Sequence, residues 1–287
     1  MQETSPQSIP ENTLDAPVCY RHPDHVSYVS CQRCGQHICP QCQTSSSVGV
    51  LCPDDAKATS KAPISKTVFG GSFRQGPPLV TYTIIALCVL VFIGEHIPSL
   101  KLVELWTLVP ALAQSQPWRM ITSIFLHDPS NIFHIGLNMY MLYIIGKALE
   151  PMLGRTRFAI TFLLSGLGGS VAVVLLASGQ AWITSTLGAS GALFGLFGTL
   201  LLVQKKLGID VQQIVLLIVI NLAFGFMVSG VSWQAHVGGL IVGMTLGAIV
   251  AYAPRDKQAM YQIIGAIAVL LVLMLATYLK IRNGITV

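Results

Sequence analysis

Residues 188–198 read Gly188-Ala189-Ser190-Gly191-Ala192-Leu193-Phe194-Gly195-Leu196-Phe197-Gly198, and residues 235–247 read Ala235-His236-Val237-Gly238-Gly239-Leu240-Ile241-Val242-Gly243-Met244-Thr245-Leu246-Gly247. Each stretch opens an apolar run, and glycines recur along it every third or fourth residue. Gly191, Gly195 and Gly198 form a small face on one helix; Gly239, Gly243 and Gly247 form one on the other. In lipid, small residues at this spacing let two helix backbones approach closely. The two runs should therefore press together, bringing Ser190 towards His236. An ionisable group inside an apolar segment is costly and marks a functional site.

The rest of the composition agrees with a membrane setting. Of 287 residues, 53% are hydrophobic and only 10% are charged, against roughly a quarter charged in a soluble domain. Apolar runs lie near 79–97, 131–150, 157–177, 188–204, 211–229, 235–253 and 259–279, and a spanning helix takes ~20 residues. Residues up to 77 hold no long apolar run and no N-terminal signal-peptide pattern. The net charge of +5 falls in short loops, so it is read through topology and no nucleic-acid partner is expected. Lys57, Lys61, Lys66 and Arg74 precede the first run. Lys147, Arg155 and Arg157 join the second and third, Lys205 and Lys206 the fourth and fifth, Arg255 and Lys257 the sixth and seventh. The alternate loops hold only Lys101 and Arg119. The positive-inside rule then puts the N-terminus in the cytosol. Ser190 and His236 both enter their helices from the outer side, at matching depth. Lys280 and Arg282 fall outside as well, against the trend.

A serine hydroxyl needs a base before it attacks a carbonyl, and histidine is the usual one. Ser190 opens its helix, where unpaired amides and the helix dipole favour developing negative charge. Phe194, one turn on, shares its face and can stack on the imidazole. His134 and Asn138, at i and i+4, share a face near the outer end of the second run. With the Ser190 backbone N–H they would make an oxyanion hole. Glu95, Glu104 and Asp128 are the only outer-loop carboxylates, and none is placed to orient His236. A Ser–His dyad is therefore expected, without a third member. The scarcity of charges inside the runs argues against an ion-coupled transporter. A catalytically dead relative would need a lost serine or histidine, and both are present.

The cysteines divide sharply. Six lie between Cys19 and Cys52, and only Cys88 lies in the apolar part. They form Cys19-x2-His22, Cys31-x2-Cys34 and Cys39-x2-Cys42, followed by Cys52-Pro53-Asp54-Asp55. Paired ligands two residues apart suit tetrahedral zinc. Four pairs supply two structural sites, which a module this small needs in order to fold. His25 and His37 are left over.

These motifs resemble two families. Gly188-Ala189-Ser190-Gly191, Ala235-His236 with its glycine ladder and His134-x-x-x-Asn138 look like the rhomboid intramembrane serine proteases. Trp118-Arg119 and Glu150-x-x-x-Gly154-x-x-Arg157 extend the likeness, which covers roughly residues 78–255. It implies Ser190 as nucleophile, His236 as base, and Asn138 and His134 as oxyanion donors, with no catalytic cofactor. It also implies a membrane-dipping loop at Trp118 and Arg119, and a structural Glu150–Arg157 pair. Transmembrane proteins are the implied substrates, within the lipid bilayer. Phe224, Phe226 and Trp233 are candidates for a substrate gate. The cysteine spacing resembles the B-box zinc fold, in which alternate pairs share a metal. That assigns Cys19, His22, Cys39 and Cys42 to one zinc, and Cys31, Cys34, Cys52 and Asp55 to the other. Such a module would bind a protein partner or regulate the protease.

The expected fold class is an all-α polytopic membrane protein. A six-helix rhomboid bundle carries one further C-terminal transmembrane helix and is preceded by a small zinc-stabilised cytosolic module. The expected layout is a disordered tail (1–17), a zinc module (18–56), a basic linker (57–77), a protease core (78–255) and a seventh helix with its tail (256–287). A bacterial plasma membrane is the expected location.

Overall fold

A computed structural model of the chain describes residues 16–46, 49–60, 66–72, 76–227 and 230–283. Most of the expected tail, and Lys61 and Arg74 of the expected linker, lie outside the described residues. The chain divides into two compact units, Met1–Ile64 and Ser65–Val287.

The first unit has little regular structure. Strands β1 (Thr44–Ser46) and β2 (Gly49–Leu51) pair antiparallel, Thr44 opposite Leu51, and helix α1 spans Pro53–Ser60. Its core is built from cysteines: Cys19, Cys31, Cys39, Cys42 and Cys52 pack around Ile38 and Leu51.

The second unit is helical: α2 Leu79–Glu95, α3 Leu102–Trp106, α4 Arg119–Thr122, α5 Ile132–Leu153, α6 Arg155–Leu176, α7 Ser190–Lys206, α8 Gln212–Met227, α9 Trp233–Tyr252 and α10 Gln258–Arg282. Each of the seven expected apolar runs is a helix. Four are long and apolar enough to cross a membrane: α5, α6, α9 and α10. A fifth span arises if α2 is joined to the segment Pro98–Trp106, which bends away by 102°. Helix α7 has 17 residues, and the described part of α8 has 16. For α7 the reason for this length is its surroundings. It is buried along most of its length between α6 and α9, so it packs on protein rather than on lipid.

Glycines set that packing. A Cβ at Gly239 would stand 2.7 Å from the Gly191 carbonyl carbon, and one at Gly247 2.8 Å from Thr199 Cα. A Cβ at Gly198 would stand 2.9 Å from the Leu240 carbonyl oxygen. The two small faces expected to meet do meet, backbone against backbone. Thr199 Oγ1 donates to the Gly243 carbonyl at 2.7 Å and locks the register.

The opposite end of the bundle is tied differently from the expectation. Glu150, buried near the end of α5, accepts from Val80 N, Thr81 N and Thr81 Oγ1 at 2.7–3.1 Å. It thereby caps α2, whose first amides have no partner in their own helix. Its cationic neighbour is Arg155 at 4.0 Å, not Arg157. Arg157 Nε donates instead to Gln262 Oε1 of α10 at 2.6 Å. Gln262 in turn donates to the Phe69 carbonyl at 3.1 Å. Within the stretch read as linker, residues 66–72 thus form a turn that inserts Phe69, 2% exposed, into the main core.

The loop between α2 and α5 is held by Arg119. It is buried and donates to the Glu104 and Thr107 carbonyls, each at 2.8 Å, and to Gln116 Oε1 at 2.5 Å. Trp118 beside it is half exposed.

Candidate active site and metal sites

Ser190 is the first residue of α7 and His236 lies in the first turn of α9. The glycine contact brings His236 Nε2 to 2.9 Å from Ser190 Oγ, a hydrogen-bond distance for a nucleophile and its base. The imidazole is 6% exposed. Phe194 lies parallel to it, with ring centroids 4.3 Å apart and planes at 16°. His236 Nδ1 is buried with no hydrogen-bond partner among the described residues. Among the described residues no carboxylate reaches this second nitrogen.

The far side of the imidazole is closed by a residue that no motif singles out. A Cβ at Gly225 of α8 would stand 3.0 Å from His236 Nδ1. Gly225 therefore lets α8 cover the ring.

His134 and Asn138 lie near the outer end of α5. His134 Nδ1 accepts from the Asp128 backbone N–H at 3.2 Å, which puts the ring proton on Nε2. That nitrogen faces the backbone just before Ser190, for a Cβ at Gly188 would stand 2.9 Å from it. Gly188 holds φ +125°, a conformation that suits glycine, and its N–H donates to the Ser123 carbonyl at 2.9 Å. Asn138 Nδ2 donates to the His134 carbonyl at 2.8 Å, which leaves its second amide hydrogen for other use. No side chain caps α7, so its first-turn amides stay open towards the same space.

His127 is a second residue that motif reading passed over. It is fully buried, both ring nitrogens lack partners among the described residues, and it packs edge-on against His134 at 5.2 Å. Its backbone N–H donates to Glu95 at 2.9 Å. Its place in a polar-looking loop hid it, since no period marks that stretch as core.

Of the gate candidates, Phe226 and Trp233 stack at 5.0 Å, bridging α8 to the start of α9. Phe224 is exposed on α8.

In the first unit, the ligand atoms of Cys19, His22, Cys39 and Cys42 lie within 4.8 Å of one another, as do those of Cys31, Cys34, Cys52 and Asp55. Cys39 and Cys42 Sγ are each 3.3 Å from His22 Nδ1, and Cys19 Sγ is 3.8 Å away. In the second cluster Cys34 and Cys52 are 3.8 Å apart, and Asp55 Oδ2 is 3.2 Å from Cys31 and 3.4 Å from Cys52. A tetrahedral zinc with Zn–S near 2.3 Å spaces its ligand atoms by roughly 3.3–3.8 Å, so both clusters fit the metal.

Known proteins resemble this chain in the same region. The Rhomboid domain family model matches residues 114–253. The Rhomboid protease GluP of Bacillus subtilis is 36% identical over 182 residues, 60% of this chain and 34% of the relative. RHOMBOID-like protein 5 of Arabidopsis thaliana is 35% identical over 171 residues, 57% of this chain and 53% of the relative. The rhomboid-family protein YdcA of Bacillus subtilis is 30% identical over 184 residues, 59% of this chain and 86% of the relative. The chain spans about a third of the first relative, half of the second and most of the third.

Proposed function

The chain belongs to the rhomboid family, and from that premise we propose that it is an intramembrane serine endopeptidase acting on transmembrane segments of other proteins. One observation carries the reading: the 2.9 Å contact between Ser190 Oγ and His236 Nε2 at a glycine-packed helix pair. Ser190 attacks the scissile carbonyl while His236 takes its proton. The resulting oxyanion is met by the Ser190 backbone N–H, the His134 Nε2–H and the Asn138 amide, in a site where such donors act strongly. His236 then returns the proton to the leaving amine. A water, deprotonated by the same imidazole, releases the acyl group. Phe194 holds the ring in the rotamer these transfers require.

Substrates carry helix-breaking or small residues near the outer membrane boundary, because an intact helix hides its carbonyls. They enter past α8, beside Phe224, Phe226 and Trp233. The N-terminal unit binds two structural zinc ions through Cys19, His22, Cys39 and Cys42, and through Cys31, Cys34, Cys52 and Asp55. It serves as a docking module for a protein partner. The N-terminus is cytosolic and the membrane is a bacterial plasma membrane.

The test is cleavage in proteoliposomes of a panel of transmembrane segments, with and without a Gly-Pro break near one end. Cleavage confined to the broken segments, and lost in Ser190→Ala, is the expected result. Cleavage by Ser190→Ala at the wild-type rate, or none by wild type on any segment, would overturn the reading.

A further inference from the structure

Helix α10 lies beyond the bundle that holds the dyad, and the last turn of α10 carries two cations, Lys280 and Arg282. They sit at the end of the bundle where basic residues are otherwise scarce. Beneath them is a cavity of about 530 Å³ between α10, α6 and the loop after α3, within the size range of ligand sites. Its walls are apolar, from Met120, Val171, Leu273, Met274 and Ile281, and its rim is polar, with Gln114 and Arg282.

Charge at this rim is unbalanced. No Asp or Glu lines the cavity. The acidic groups at this end are engaged elsewhere: Glu95 accepts from His127, Glu104 pairs with Lys101, and Asp128 accepts from Ser130. Lys280 is drawn over the Trp182 ring and donates to the Ala177 carbonyl at the end of α6. Arg282 is exposed and has no ion pair or hydrogen bond among the described residues. An apolar slot at membrane depth with an unmatched guanidinium at its mouth suits an amphiphile with an anionic head, since basic residues near a membrane surface favour anionic lipid and arginine binds phosphate with a planar fork of donors.

We propose that this groove holds one anionic glycerophospholipid, an acyl chain between α6 and α10 and the phosphate on Arg282. The seventh helix is thereby an addition that builds a lipid site on the bundle. A lipid seated there bridges α10 to the Arg119-anchored loop.

The test is native mass spectrometry of the full chain, released from nanodiscs of phosphatidylglycerol or of phosphatidylcholine with the same acyl chains. The expected result is one retained phosphatidylglycerol per chain, favoured about fivefold over phosphatidylcholine. Arg282→Gln should erase that preference while leaving phosphatidylcholine retention unchanged. Val171→Trp, which fills the slot, should lower retention of both. Met274→Trp, at a wall residue of α10 that is 58% exposed, does the same without entering the core and guards against a misfolded Val171 variant. An undiminished preference in Arg282→Gln, or unchanged retention in Met274→Trp, would overturn the proposal. So would wild-type dimers without lipid that Met274→Trp dissociates, for the groove would then belong to a second copy of the chain.

Discussion

Replacing Gly239 with alanine strikes the contact on which the dyad depends. The new Cβ would stand 2.7 Å from the Gly191 carbonyl carbon, with the carbonyl oxygen closer still. An ordinary contact of carbon atoms needs ~3.5–4 Å, so α7 and α9 must part by roughly 1 Å. Backbone lies on both sides, and no flexible side chain can yield. Gly239 is three residues from His236, and Gly191 adjoins Ser190. A widening of about 1 Å there carries the 2.9 Å Ser190–His236 bond past hydrogen-bond reach, and a misplacement of that size can cost about 10²-fold in rate. The overpacking itself should destabilise the fold by about 1–3 kcal/mol. The assay is the rate at which a fluorophosphonate labels the protein in membranes, with thermal unfolding measured in parallel. Gly136→Ala is the control, since a Cβ at Gly136 on the exposed face of α5 meets nothing within 4 Å. Gly239→Ala should label about 100-fold more slowly, and Gly136→Ala at the wild-type rate. Wild-type labelling by a folded Gly239→Ala protein would refute the claim that glycine packing sets the dyad distance.

Other consequences are open to simple measurement. Phe194→Ala removes a stacked ring, worth ~0.5–1.5 kcal/mol; labelling should slow by about 2- to 12-fold, and an unchanged rate would remove Phe194 from the site. Gly225→Ala should also slow labelling, by less than Gly239→Ala, because its Cβ presses on His236 from α8; a faster rate would contradict the packing described. His134→Ala and Asn138→Ala should each lower the cleavage rate by about 10²–10³ with little change in KM, whereas an effect on KM alone would assign them to substrate binding. The purified chain should hold two zinc ions and lose them to a chelator in two phases. The fast phase belongs to Cys31, Cys34, Cys52 and Asp55, where Cys34 is exposed and a carboxylate replaces a thiolate or imidazole. Asp55→Cys should slow that phase, and a single phase in wild type would contradict the difference between the clusters.

The helices and the approach of Ser190 to His236 were legible in the sequence because both follow from local pattern. Apolar runs marked where helices lie, and the glycine ladders of 191–198 and 239–247 named the faces that meet. The i, i+4 pairing of His134 with Asn138 needed only helical geometry. What stayed hidden depends on contacts between distant segments. Gly225 covers His236 from a helix 11 residues away by sequence, but nothing in its neighbourhood distinguishes it from any glycine in an apolar run. Phe69 lies in a stretch rich in lysine, glycine and serine, and only its insertion beside α5 and α10 makes it core. Glu150 and Arg157 are spaced like partners, yet the open amides at the start of α2 and the amide of Gln262 outcompete that pairing. The fourth apolar run, 188–204, is as short as the 17-residue α7, because a helix encased by protein need not match the thickness of lipid.

The proposed activity rests on Ser190 acting as a nucleophile activated by His236. The most direct test is mass-spectrometric localisation of a fluorophosphonate adduct on the membrane-embedded protein, in wild type, Ser190→Ala and His236→Ala. A single adduct on Ser190 in wild type, and none in either variant, is the predicted result. An adduct on another residue, or labelling that survives both substitutions, would contradict it.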